Sequence, residues 1–179
     1  MDAHTVLKFW FDELSPKDWF VSSEHIDELV RQRFGRLHEQ ACKGELFQWR
    51  STAEGRLAEV MVLDQFSRNL FRDNPQAFAA DAMALALAQE AVALDQDHKL
   101  PSQQRAFLYM PYMHSESAVI HEVAESLFAQ EGMEQNLDFE LKHKVIIDRF
   151  GRYPHRNAVL GRESTPEELA FLKQEGSSF

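Results

Sequence analysis

Apolar residues recur at spacings of three and four along almost the whole chain, and nowhere do they alternate over the length of a strand. That pattern belongs to amphipathic helices, whose inward face repeats every 3.6 residues. Seven Gly and six Pro in 179 residues leave few sites for the tight turns of a β fold. No block of fixed length repeats. The expected fold class is therefore all-α. Fourteen Phe and three Trp supply bulky core pieces, and a chain of this length buries roughly two-thirds of its unfolded surface. We read one helical domain over residues 1–179, with an ordered core from about residue 4 to about residue 174.

Capping and breaking signals divide the periodic pattern into about eight helices. The first runs from Thr5 to about Glu13 and ends before Ser15-Pro16. A second, from near Ser23 to Gly44, carries Ile26, Leu29, Val30, Phe34, Leu37 and Ala41 on one side. A third covers about Thr52 to Arg72, where Asp73-Asn74-Pro75 supplies a stop and a fresh start. The fourth, Pro75 to Leu94, is apolar nearly all the way round and should lie between neighbours. A fifth begins after Leu100-Pro101-Ser102 and meets Pro111, which should end or kink it. The sixth runs from about Ser115 to Gln130 and the seventh from about Glu134 to Phe150. The eighth starts at Thr165-Pro166-Glu167-Glu168, an N-cap followed by Pro at N1 and Glu at N3. Short connections between so many helices predict antiparallel neighbours stacked in pairs.

Charge narrows the functional classes. The net charge of −10 repels phosphate backbones and anionic membrane surfaces, so nucleic-acid binding and membrane docking are disfavoured. One stretch runs the other way. Residues 142 to 162 carry Lys142, Lys144, Arg149, Arg152, Arg156 and Arg162 against Asp148 alone. Cys42 is the only cysteine, which excludes an intramolecular disulfide and a thiolate-rich zinc site. The opening residues have no basic-then-apolar secretory pattern, and no run approaches the ~18 apolar residues of a membrane span. A cytoplasmic location is expected.

Several ionisable residues fall where a helix should be apolar. Asp64 and Arg68 sit within the Leu57, Val60, Met61, Phe71 stripe, acid four residues before base, an order that suits an ion pair. An arginine so held keeps donors for a ligand. Glu116 opens the Val119, Ile120, Val123, Ala124, Leu127 stripe. It either accepts helix N-terminal amides or faces a cavity with a raised pKa. His121, beside Glu122 and Glu125, reads as a solvated surface residue. His143 lies among Phe139, Ile146, Ile147 and Phe150, as a hydrogen-bonded core histidine or an acid–base group. His114 occupies the loop before Glu116.

The densest feature is Arg149-Phe-Gly-Arg-Tyr-Pro-His-Arg-Asn157. Gly151 and Pro154 end a helix there. Arg152 and Arg156 offer planar forks for carboxylate or phosphate, with His155 and Asn157 beside them and Arg149 in support. The alternative is that these arginines pair with neighbouring acidic helices. No Walker loop, GxGxxG or HExxH is present. Glu140 and His143 have the spacing of a di-iron ligand pair but no second pair exists, and Asp95-Gln-Asp-His98 reads as an exposed helix end. No metal ligand set is assigned, and no cofactor is indicated.

Three segments together carry a resemblance: Leu63-Asp-Gln-Phe-Ser-Arg-Asn-Leu-Phe-Arg72, Phe107-Leu-Tyr-Met-Pro-Tyr-Met-His-Ser-Glu116, and Arg149 through Arg162. In this order they resemble a largely bacterial family catalogued as domain of unknown function nine-two-four. The likeness runs from Val6-Leu-Lys-Phe-Trp10 to Glu167-Glu-Leu-Ala-Phe171. It implies a tetratricopeptide-like helical superhelix and brings no established activity. Ser67 stands where the family usually has Pro, a change expected to straighten the third helix.

Two functional readings follow. In the first, an inter-helix polar pocket binds, or binds and turns over, a small anionic molecule. Arg68, Arg152 and Arg156 hold the anion, and Glu116 with His114, His143 or His155 moves a proton. In the second, the stacked helices form a peptide or protein interaction module in which the charges are structural. Oligomeric state is open.

Overall fold

Side-chain caps start three of the helices where the sequence signals place them, after Ser23, Thr52 and Thr165, whereas the first begins at Ala3 rather than Thr5 and the fourth expected one at Asp81 rather than Pro75. In the computed structural model, which describes residues 1–179, Asp2 accepts from the Thr5 amide (2.9 Å), Ser23 from Ile26 (3.3 Å) and Thr52 from Gly55 (3.0 Å). Each satisfies an amide that the first helical turn leaves without an intrahelical partner. Thr165 and Glu168 complete a reciprocal capping box. The helices so defined are α1 (Ala3–Lys8), α2 (Glu24–Cys42), α3 (Ala53–Met61), α4 (Ser67–Leu70) and α5 (Asp81–Ala93). They continue with α6 (Ser102–Met113), α7 (Ala118–Phe128), α8 (Glu134–Phe150), α9 (Asn157–Leu160) and α10 (Pro166–Leu172). There are no strands, and no helix is long and apolar enough to cross a membrane.

Sequential elements pack side by side, α5 on α6, α6 on α7 and α7 on α8, while α5 also lies against α3. This gives α5 neighbours on two sides, with Ala84, Ala88 and Ala91 fully buried between them. One core cluster of 33 residues joins α1 through α7. Its centre is aromatic: Phe34 and Phe66 pack as a tilted pair with centroids 4.9 Å apart, and Trp10 meets Phe107 edge-on at 5.8 Å. Gly55 permits the close approach of α3 to the preceding turn, since a Cβ there would lie 1.9 Å from the Trp49 carbonyl oxygen. The chain beyond residue 174 also packs, with Phe179 stacked on His143 at 3.7 Å.

Three further local expectations fail. Pro111 does not end its helix: α6 continues to Met113, because proline forfeits only its own amide bond and its fixed φ lets the residues after it stay helical. The third helix is not straight. A π turn over Val62–Phe66 separates α3 from α4, and the Ser67 hydroxyl donates to the Leu63 carbonyl (2.5 Å) directly after it. A π turn inserts one residue and swings the side chains that follow it, and such turns gather at functional sites. The third correction concerns α7. Val119 is 73% exposed, whereas His121, Ala124 and Phe128 form its buried face. His121 belongs in the core because both ring nitrogens are engaged there, Nδ1 with Glu140 (2.5 Å) and Nε2 with the Ser115 carbonyl (2.7 Å). Hydrogen bonding offsets the cost of burying an imidazole.

Candidate functional site

Gly151, with φ of +69°, adopts the left-handed conformation that stops α8, and the chain turns back across the bundle. The Tyr153–Arg156 stretch then lies over the loop end of α6 and the start of α5. Tyr153 locks it in place: its hydroxyl donates to the Met113 carbonyl (2.5 Å) and its ring is 1% exposed. Between this segment, the π turn, α6 and α8 lies a cavity of about 550 Å³. That volume is in the range of small-molecule sites.

The wall carries a carboxylate–imidazole pair. Asp64, on the π turn, is completely buried, and its Oδ1 lies 2.7 Å from His114 Nδ1. A carboxylate oxygen at that distance places the ring proton on Nδ1 and leaves the Nε2 lone pair unused. Burial, with the neighbouring Arg68 guanidinium, pushes His114 below its ordinary value, so the imidazole is neutral near pH 7. Burial opposes the charge on Asp64. The Arg68 guanidinium, with hydrogen bonds from His114 and Gln65, outweighs that and lowers its pKa. A neutral imidazole oriented by a buried carboxylate is the chemistry of a general base.

Two arginines stand beside this pair. Arg68 was expected to pair with Asp64, but its main partner is Asp81, bound through two nitrogens at 2.8 and 3.0 Å, with Asp64 at 3.5 Å. Arg156 is buried and sandwiched, its guanidinium 4.5 Å from the Phe78 ring and 4.7 Å from Tyr153. One nitrogen donates to the His114 carbonyl (2.9 Å). Its Nη1 stops 3.9 Å from Asp81 and 3.8 Å from Glu116, too far for a hydrogen bond, and Nε has no partner. Burial and the nearby Arg68 lower the Arg156 pKa.

His143 and His155 complete the wall. The His143 Nδ1–H donates to the Phe139 carbonyl (2.6 Å), and burial pushes its pKa down to about 3. Burial and Arg156 bring His155 to about 4, and its buried Nδ1 is unpaired. Both rings are neutral at physiological pH.

Of the residues singled out in the sequence, Arg68, His114, His143, His155 and Arg156 therefore meet at one cavity, with Asp64 buried behind His114. The others are elsewhere. Glu116, a candidate acid with a raised pKa, is instead held below the carboxylate range. Burial raises it, but the Arg162 fork (2.9 and 3.0 Å) and the Tyr153 amide (2.7 Å) outweigh that. It precedes α7 rather than lying on its stripe. Arg152 faces outward and grips Glu168 through Nε (2.9 Å) and Nη2 (2.7 Å). Asn157, expected on the anion site, donates to Ser164 and to the same Glu168 (3.0 and 3.1 Å). Arg149 lies over Phe150 and Phe171.

Sequence reasoning missed Phe78 and Asp81 as parts of the site. Phe78 and Asp81 follow the Pro75 restart, and nothing in helical periodicity links them to a segment some 75 residues later. It also missed Trp10, which lines the cavity with an indole N–H that has no acceptor.

Comparison with known proteins adds the following. A family model described as bacterial protein of unknown function (DUF924) matches residues 6–176. A solved structure of a protein of unknown function from Agrobacterium tumefaciens is 36% identical, covers 96% of each chain, and superposes with a TM-score of 0.91. Among curated proteins, none matches.

Proposed function

For this chain, which belongs to the DUF924 family of bacterial proteins of unknown function, we propose that the inter-helix cavity binds a small anion, with Arg156 as anchor and His114 as a base beside it. One observation carries the reading. Arg156 is enclosed by two aromatic rings yet leaves Nε unpaired and Nη1 beyond hydrogen-bonding distance of either neighbouring carboxylate. Buried donors are rarely left so unless something else is meant to accept from them. Trp10 Nε1 and His155 Nδ1, on the same wall, are in the same condition. An oxyanion supplies what these donors lack.

The Asp64–His114 pair extends the reading toward chemistry. Its Nε2 is an acceptor, so a hydroxyl or acidic C–H on the bound molecule has a group to receive its proton. Arg68, tied to Asp81, acts by holding Asp64 ionised rather than by binding ligand. The same reading sets the protein in the cytoplasm, which its lone cysteine supports.

Calorimetry against small carboxylates and phosphates tests the site. We expect saturable binding that Arg156→Met weakens at least about tenfold, a loss of roughly 1.4 kcal/mol. No heat from any anion at millimolar concentration would return the chain to the interaction-module reading.

A further inference from the structure

The cavity inverts the usual order of a protein surface. Its deepest parts are polar: Tyr153, Arg156 and His143 are all less than a tenth exposed. Its rim is apolar. Phe20 is 64% exposed, Phe179 56% and Phe139 46%, and all three line the same cavity with Trp19 and Val21. Large hydrophobic side chains gathered at an opening mark a surface meant to be covered.

The rim rings are ordered against one another. Phe20 stacks on Phe139 with centroids 6.4 Å apart and on Phe107 at 6.1 Å, so the loop before α2 reaches across to α8. Phe179 lies flat on His143, one turn along α8 from Phe139. A ligand entering between them meets aromatic faces first and Arg156 last.

The floor also limits charge. Arg68 is balanced by Asp81 and Glu116 by Arg162, while Asp81 and Glu116 carboxylates stand about 4 Å from the Arg156 guanidinium. A dianion such as a phosphate monoester would bring two negative charges beside these carboxylates; a single carboxylate brings one. From the apolar rim and the one under-used cation we infer that the natural ligand is an amphipathic carboxylic acid, its carboxylate on Arg156 and its acyl or aryl portion between Phe20, Phe139 and Phe179. This rests on the anion reading above and narrows it.

A chain-length series separates the two. Calorimetry with acetate, butanoate, hexanoate and octanoate should show affinity rising about threefold to fourfold per methylene, the transfer value for apolar burial. Phe139→Ala, which removes a half-exposed ring and whose fold is checked by circular dichroism, should weaken octanoate several-fold and leave acetate unchanged. Equal affinity along the series, still dependent on Arg156, overturns the amphipathic ligand and leaves the anion site standing. Binding of no acid at any length overturns both, as does octanoate binding that Arg156→Met does not alter. Inorganic phosphate binding more tightly than octanoate overturns the carboxylate assignment alone.

Discussion

The segment from Arg152 to Arg162 has two faces, and they treat their charges differently. On the outer face Arg152 and Arg162 each hold a carboxylate in a forked pair, Glu168 and Glu116, and Asn157 adds a further bond to Glu168. Hardly a donor is left over. On the inner face, a few residues away, Arg156 and His155 are more deeply placed and worse satisfied. Composition cannot distinguish these faces, since both are arginine-rich. Saturation can: charges that complete one another hold the fold, and charges left short are available to a ligand.

Acid should separate the faces most strongly. His143 and His155 titrate at about 3 and about 4 when folded, against an ordinary value near 6.5. Between those limits the unfolded chain binds more protons, so stability falls as pH drops below about 6.5. The slope is at most roughly 1.4 kcal/mol per pH unit for each histidine. The outer carboxylates slope in the same direction, but in a lower window that opens only below their ordinary value of 4.5. Glu168, brought to about 2 mainly by Arg152, keeps its contribution until far lower pH. Urea titrations at pH 7, 6 and 5 should show the decline, and His143→Phe should reduce its slope; a stability that is flat over this range would break the comparison.

Glu116→Ala comes next. It strands Arg162 and the Tyr153 amide together, and we expect a loss of about 2 kcal/mol, with anion affinity in the folded fraction no weaker because the carboxylate removed stands 3.8 Å from Arg156. Arg156→Met should do the reverse, changing stability by less than about 1 kcal/mol while removing binding, because an under-paired buried cation contributes little to folding. Denaturation curves and calorimetry on the two variants would show whether the roles are exchanged. The smallest effect belongs to Arg149→Ala, whose guanidinium lies over Phe150 and Phe171. Under about 1 kcal/mol should be lost, with binding unchanged.

Much of this architecture could be read in advance. The helix starts at Ser23, Thr52 and Thr165 follow from caps that act within one turn, and α8 ends at Phe150, just before Gly151. The site was legible in part. Asp64, Arg68 and His114 drew notice by lying on apolar stripes or beside helix ends, and the Arg149–Asn157 run by its charge. What failed was the assignment of faces. His121 looked solvated because Val119 and Val123 suggested the opposite side was buried, yet the pair with Glu140 reversed it. Glu116 and Arg152 looked like site residues because Arg162 and Glu168, their partners, are distant in the chain.

Spacing and capping, which act over three or four residues, decided that this chain is helical, where its helices begin and that its charges are unevenly placed. Which of those charges are spent on one another was decided only when α3, α6, α8 and the Tyr153–Arg156 turn came together. Hydrogen bonds reach about 3 Å, and the partners that meet at that distance lie up to 50 residues apart, as Asp64 and His114 do.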